Sequence, residues 1–113
     1  MTDLHSTSLS ALADDQLAAA KASHAGRAAH TVYGGSAHRL RQTLIALAAG
    51  HGLDDHESPG EATLLVLRGK VRLGLGDAGV QGGAGDLLPI PDQRHNLAAL
   101  EDSVVLLTVI TRN

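Results

Sequence analysis

The chain contains no cysteine, phenylalanine or tryptophan, and its one aromatic residue other than the histidines is Tyr33. Without cysteine there can be no disulfides and no thiolate metal sites, which fits a reducing compartment. Without aromatics there is no cage for a quaternary ammonium ligand and no platform on which bases could stack. The core must be built from Leu, Val, Ile and Ala. Basic clusters are missing too: the 9 Lys and Arg are dispersed and the formal net charge is −3, so attraction to phosphate backbones is not expected. Nor is there a long apolar run. Leu44 to Ala49 is the most apolar stretch of the first half, far too short to span a bilayer. Met1 to Ser10 lacks the basic-then-apolar pattern of a signal peptide. The expectation is a cytoplasmic protein with neither nucleic acid nor membrane as a partner.

What remains is ordinary globular material. With 113 residues, 43% hydrophobic and 19% charged, the chain suits one domain with one core. The first 25 residues stand apart. Ser8–Ala22 combines Leu9, Leu12, Leu17 and many alanines with Asp14, Asp15 and Lys21, and Ser8 or Ser10 can cap it. This predicts one short helix ending near His24–Gly26, covering a sheet edge or a barrel opening, after a mobile tail over Met1 to Thr7. From Arg27 onward, Gly and Pro cut the chain into short segments, among them Thr63–Arg68, Val71–Leu75, Asp86–Ile90 and Val104–Ile110. Such punctuation predicts an all-β sandwich or barrel. His38–Leu47 alternates in part, and the glycine-rich stretch Gly74–Gly85 reads as a hairpin with its loop. The division expected is a tail and helix over residues 1–25 and a β domain over 26–113.

Two segments resemble the paired signature motifs of the cupin superfamily. Gly50 and His56 keep the glycine-to-histidine spacing of the first motif, which continues through Ser58-Pro59-Gly60-Glu61-Ala62 and closes at Gly69. Gly85 and Pro91 keep the spacing of the second, with His95 following one residue earlier than the usual form. The resemblance implies a double-stranded β-helix, a small jelly-roll barrel, preceded by the short N-terminal α-helix. In metal-binding cupins two histidines and a glutamate of the first motif and a histidine of the second hold one ion. Carried onto this chain, His56 takes the first histidine slot and His95 the last. Ser58 stands in the second histidine slot and Ala62 in the glutamate slot, with Glu61 one residue away. A one-residue offset in a strand turns a side chain to the opposite face, so Glu61 can serve only if a turn or bulge re-aims it.

The candidate metal ligands are therefore His56, His95, Glu61 and His51. A divalent transition ion (iron, nickel, zinc, copper or manganese) is the cofactor such a set could hold. His51 precedes His56 by an odd number of residues, which on a straight strand places the two on opposite faces. Ser58, His30, His38, Gln42 and Arg41 are candidates for lining a pocket, the arginine because its fork suits an anionic ligand. Two functions follow from the resemblance. One is a barrel that binds a small molecule without catalysis. The alternative is a metal-dependent dioxygenase or isomerase acting on a small metabolite. Val104–Ile110 is apolar at almost every position, as burial on both faces requires. One face would meet the core and the other a partner's sheet, hence the expectation of a homodimer.

Overall fold

The computed structural model describes residues 4–58 and 60–111. Part of the expected mobile tail (residues 1–3), Pro59 of the first motif and the end of the expected β domain (residues 112 and 113) lie outside them.

Helix α1 spans Leu9–Ala22. Ser8 caps it, its hydroxyl accepting from the Ala11 amide, and Lys21 stands in the last turn, where the helix dipole favours a cation. Leu9, Leu12, Ala13, Leu17 and Ala20 recur at three- and four-residue intervals and form one apolar side. Strands β1 (Arg27–Tyr33), β2 (Leu40–Leu47), β3 (Gly52–His56), β4 (Gly60–Arg68), β5 (Lys70–Leu75), β6 (Ala78–Gly83), β7 (Leu87–Ile90), β8 (His95–Ala99) and β9 (Ser103–Thr111) follow. They form two antiparallel sheets, in the orders β1-β2-β9-β4-β7 and β3-β8-β5-β6. This is the jelly-roll barrel that the motifs implied, with the helix ahead of it.

Period-2 alternation divides each strand between two environments. Between the sheets, Leu47, Leu64, Val66, Val71, Leu73, Leu97 and Val105 are buried with their neighbours as the main core. On the outer face of the five-stranded sheet, Leu44, Ala46, Val104 and Leu106 pack against Ala13 and Ala20 of the helix. The helix thus covers a sheet face, not an edge or an opening. It also takes the face of β9 that was assigned to a partner's sheet: Val104 is 0% and Leu106 8% exposed within one chain. The apolar character of β9 is therefore explained, at those two positions, without a second subunit.

Two turns show why glycine is needed where it stands. The β5–β6 hairpin pairs Leu75 with Ala78 across a two-residue loop, and Gly76 takes φ +58°, the sign that the first central residue of a type II′ turn requires. Gly69 has φ +82°, and a Cβ there would stand 2.3 Å from the Asp102 carbonyl oxygen and from Ser103 Oγ. That hydroxyl is fully buried yet satisfied: it accepts from the Lys70 amide and donates toward the carbonyls of Lys70 and Glu101. Among the described residues no helix is long and apolar enough to cross a membrane.

Candidate functional site

A small cavity lies between the sheets, about 30 Å³ in volume, lined by Ile45, Leu53, Leu64, Leu73, Ile90, Leu97 and Leu107 and by the rings of His56 and His95. Its size admits about one water molecule, because the aliphatic side chains already fill most of the barrel. It adjoins open grooves of about 280 Å³, bounded by Arg27, Ala28, Ala29, Ile45 and Leu53, and about 370 Å³, bounded by Arg27, Leu53, Asp54 and His56.

The two histidines meet because β3 is bulged. Gly52 pairs with Ala98 and Leu53 with Leu97, but His56 pairs with His95, so Asp54 and Asp55 together oppose Asn96 alone. On a regular strand Leu53 and His56 would point to opposite faces. The extra residue restores His56 to the interior side, where Leu53 also points. Side chains hold the bulge in place: Asn96 Nδ2 donates to Asp55 Oδ1 at 2.7 Å, and Arg94 donates to the Asp55 carbonyl at 3.3 Å and to Glu57 at 3.4 Å. His95 opens β8 and is 4% exposed, whereas His56 is exposed at the rim. Their rings stand edge to face with centroids 4.4 Å apart and planes at 62°.

Each ring is oriented by a backbone carbonyl two residues before it. His56 Nδ1 lies 2.8 Å from the Asp54 oxygen and His95 Nδ1 2.9 Å from the Gln93 oxygen. A carbonyl brings no proton, so each Nδ1 must carry the hydrogen and donate it. In the neutral rings this leaves Nε2 with a free lone pair. No buried side-chain nitrogen or oxygen among the described residues lacks a partner, so the Nε2 of His95, which makes no hydrogen bond to the described residues, keeps an opening to solvent.

The other sequence candidates are placed elsewhere. Glu61 is exposed on the outer face of β4, while Ala62 beside it points into the core. The β4–β9 ladder is regular from Gly60 to Val66, so no bulge re-aims the carboxylate, and Glu61 does not join the histidines. His51 is exposed, its ring against the backbone of Gly26, where even a Cβ would collide with it at 2.2 Å. Ser58 donates to the Gly60 carbonyl at 2.8 Å in the β3–β4 connection. His30 pairs with Leu44 and so belongs to the outer face of β1, where it is exposed. His38 accepts from the Gly35 amide within the β1–β2 loop and packs on Tyr33. Gln42 donates to Thr108 at 3.2 Å on the outer sheet face. Arg41 is on the interior side of β2, opposite Val109, but its Nε donates to the His38 carbonyl. None of these seven lines the cavity.

Among the described residues, two imidazoles are then the only metal-ligating groups at the cavity. No cluster of three or more His, Cys, Asp or Glu side chains able to hold an ion occurs among the described residues. Sites that hold a resident ion draw on three or more protein ligands, and the carboxylate slot here is a buried Ala62 methyl. The residues present do not fit a resident metal. What the site offers is an apolar interior with two hydrogen-bond acceptors at its mouth. Sequence reading missed Arg27, the Asp55–Asn96 brace and which of the aliphatic residues line the cavity. Arg27 stands at the first position of β1, a place that carries no motif.

No protein-family model matches the chain, and no curated protein does. Solved structures do. A cupin superfamily protein from Desulfitobacterium hafniense superposes with a TM-score of 0.68 at 19% identity, over 75% of this chain and 77% of that one. An RmlC-like cupin from Desulfovibrio desulfuricans gives 0.66 at 26% identity, over 74% and 81%. The DMSP lyase DddQ from Ruegeria pomeroyi gives 0.66 at 18% identity, over 76% of this chain but 47% of its own.

Proposed function

Starting from the cupin fold that this chain has in common with those structures, we propose that it is a small-molecule-binding barrel whose ligand is held at the mouth between His56 and His95. The observation that carries this reading is the matched pair of imidazoles. Both are fixed at Nδ1 by a backbone carbonyl, and both keep Nε2 uncommitted beside an apolar cavity. Acceptors that open to solvent beside an apolar cavity are met by water until a molecule with its own donor displaces it, so the arrangement suits a bound molecule that supplies the donor. Apolar walls with a few placed polar groups are the usual make-up of a ligand site.

Binding is favoured over catalysis by what lines the cavity. An oxygenase needs a fully ligated metal at the reacting atoms, and a lyase or isomerase that uses an imidazole as its base still needs a carboxylate, a metal or a further donor to steady the developing charge. None of these lines it. Some cupin-fold proteins are enzymes, as the lyase shows, but the donor set that would support that reading here ends at two histidines.

The test is a fragment screen read by the nitrogen resonances of the imidazole rings. A ligand of this site moves the His56 and His95 signals together and saturably while those of His30 and His51 stay in place. A screen in which binders leave both rings unmoved would refute the proposal.

A further inference from the structure

Taking that binding reading as its basis, we infer that the ligand is a short aliphatic hydroxy acid whose carboxylate is held by Arg27. The cross-strand register pairs Arg27 with Leu47 and Ala29 with Ile45. Leu47 and Ile45 belong to the core side of β2, so Arg27 is on the side of edge strand β1 that faces the opposite sheet. It bounds both grooves that adjoin the histidine cavity. Ion pairs between described residues include Lys21–Asp102, Arg68–Asp14 and Arg94–Glu57, and Arg27 takes part in none of these. A guanidinium at the end of a partly apolar groove presents its planar fork to whatever anion enters.

Three features narrow the class. One groove beside Arg27 is walled by Ala28, Ala29, Ile45 and Leu53, and the other, which reaches His56, by Leu53 and Asp54, so the body that lies against them is mostly aliphatic. Asp54 stands in the same groove and repels a second negative charge, so the ligand carries one carboxylate. At the far end the Nε2 atoms are acceptors in the neutral rings, beside a cavity of about 30 Å³. That end must be a small donor. A hydroxyl fits better than an ammonium, because inside the cavity itself, which Asp54 does not line, the leucine and isoleucine walls give a charged group no further acceptor.

The probes are 6-hydroxyhexanoate, hexanoate and 1-hexanol, titrated calorimetrically into wild type, Arg27→Gln and His56→Ala, with the histidine ring signals followed in parallel. Hydroxyhexanoate should bind tightest. Arg27→Gln should weaken both carboxylates about threefold to fivefold, as loss of one exposed ion pair does, and leave hexanol unchanged. His56→Ala should weaken the two hydroxylated probes and spare hexanoate. Carboxylates that bind no tighter than hexanol, or that ignore Arg27→Gln, overturn the hydroxy-acid inference while the site stands, provided hexanol moves the two rings. Binding of any probe with the ring signals unmoved overturns the site as well. Failure of all three probes to bind overturns the inference and leaves the site to the fragment screen.

Discussion

Truncating Leu73 to alanine tests whether the interior is as full as its small cavity implies. Leu73 is 1% exposed and borders that cavity. The substitution removes three carbons, about 2.4 kcal/mol of transfer free energy at ~0.8 kcal/mol each. A cavity term of about 24 cal/mol per Å³ of unfilled space adds to this. Little collapse is expected, because β5 is held on both sides, Leu73 pairing with Val80 of β6 and with Leu97 of β8. The loss should be about 3–5 kcal/mol. A chain of 113 residues has a total stability of about 6–17 kcal/mol, so the variant folds but unfolds at far lower urea. Leu53→Ala, at a half-buried position facing the grooves, should cost about half as much. The assay is urea unfolding by far-ultraviolet circular dichroism, comparing midpoints at unchanged slope. A loss below about 1.5 kcal/mol for Leu73→Ala, or equal losses for the two variants, would refute the packed interior.

Gly69→Ala should lose at least about 2 kcal/mol, since φ +82° and a 2.3 Å approach to the Asp102 carbonyl both oppose a Cβ; a thermal midpoint equal to wild type would contradict the turn geometry. Asn96→Ala removes the donor to Asp55 and should release the bulge, seen as a shift and broadening of the His56 ring signals with His95 less affected. Asp102 accepts from the Ala49 amide at 2.8 Å and pairs with Lys21 at 3.3 Å, and these hold its carboxyl below the usual carboxylate range. A lowered folded pKa contributes stability above the unfolded value, about 3.9, and loses it as pH falls through the folded one. Asp102→Asn should therefore melt below wild type at neutral pH, with the gap closing in acid; a gap that widens in acid would reverse the assignment.

The barrel was legible because its signals are local. The turn glycines, the short apolar segments and the two motif spacings each depend on neighbouring residues, and the helix was legible from its cap and alanine content. Glu61 stood as a candidate ligand on the condition that a turn or bulge re-aimed it, and only the regular pairing of β4 shows that none does. His51, His30, His38, Gln42 and Arg41 were not legible either. Residue type and parity cannot say which side of a strand is interior until pairing with β2, β9 or the loops is known. The bulge at Asp54–Asp55 was hidden for a related reason: it is a mismatch between two strands, and β8 begins 39 residues after His56.

By itself, then, the sequence determined an all-β barrel with an N-terminal helix, an aliphatic core, and a histidine on each of two strands, because composition, turn chemistry and periodicity act along the chain. Tertiary structure alone decided that the helix takes the outer face of β9, that a bulge turns His56 to meet His95, that the interior leaves only about 30 Å³, and that Arg27 bounds the grooves beside it. Each of these depends on which strands lie side by side and in what register. Pairing between segments far apart in sequence sets that, and no local pattern encodes it.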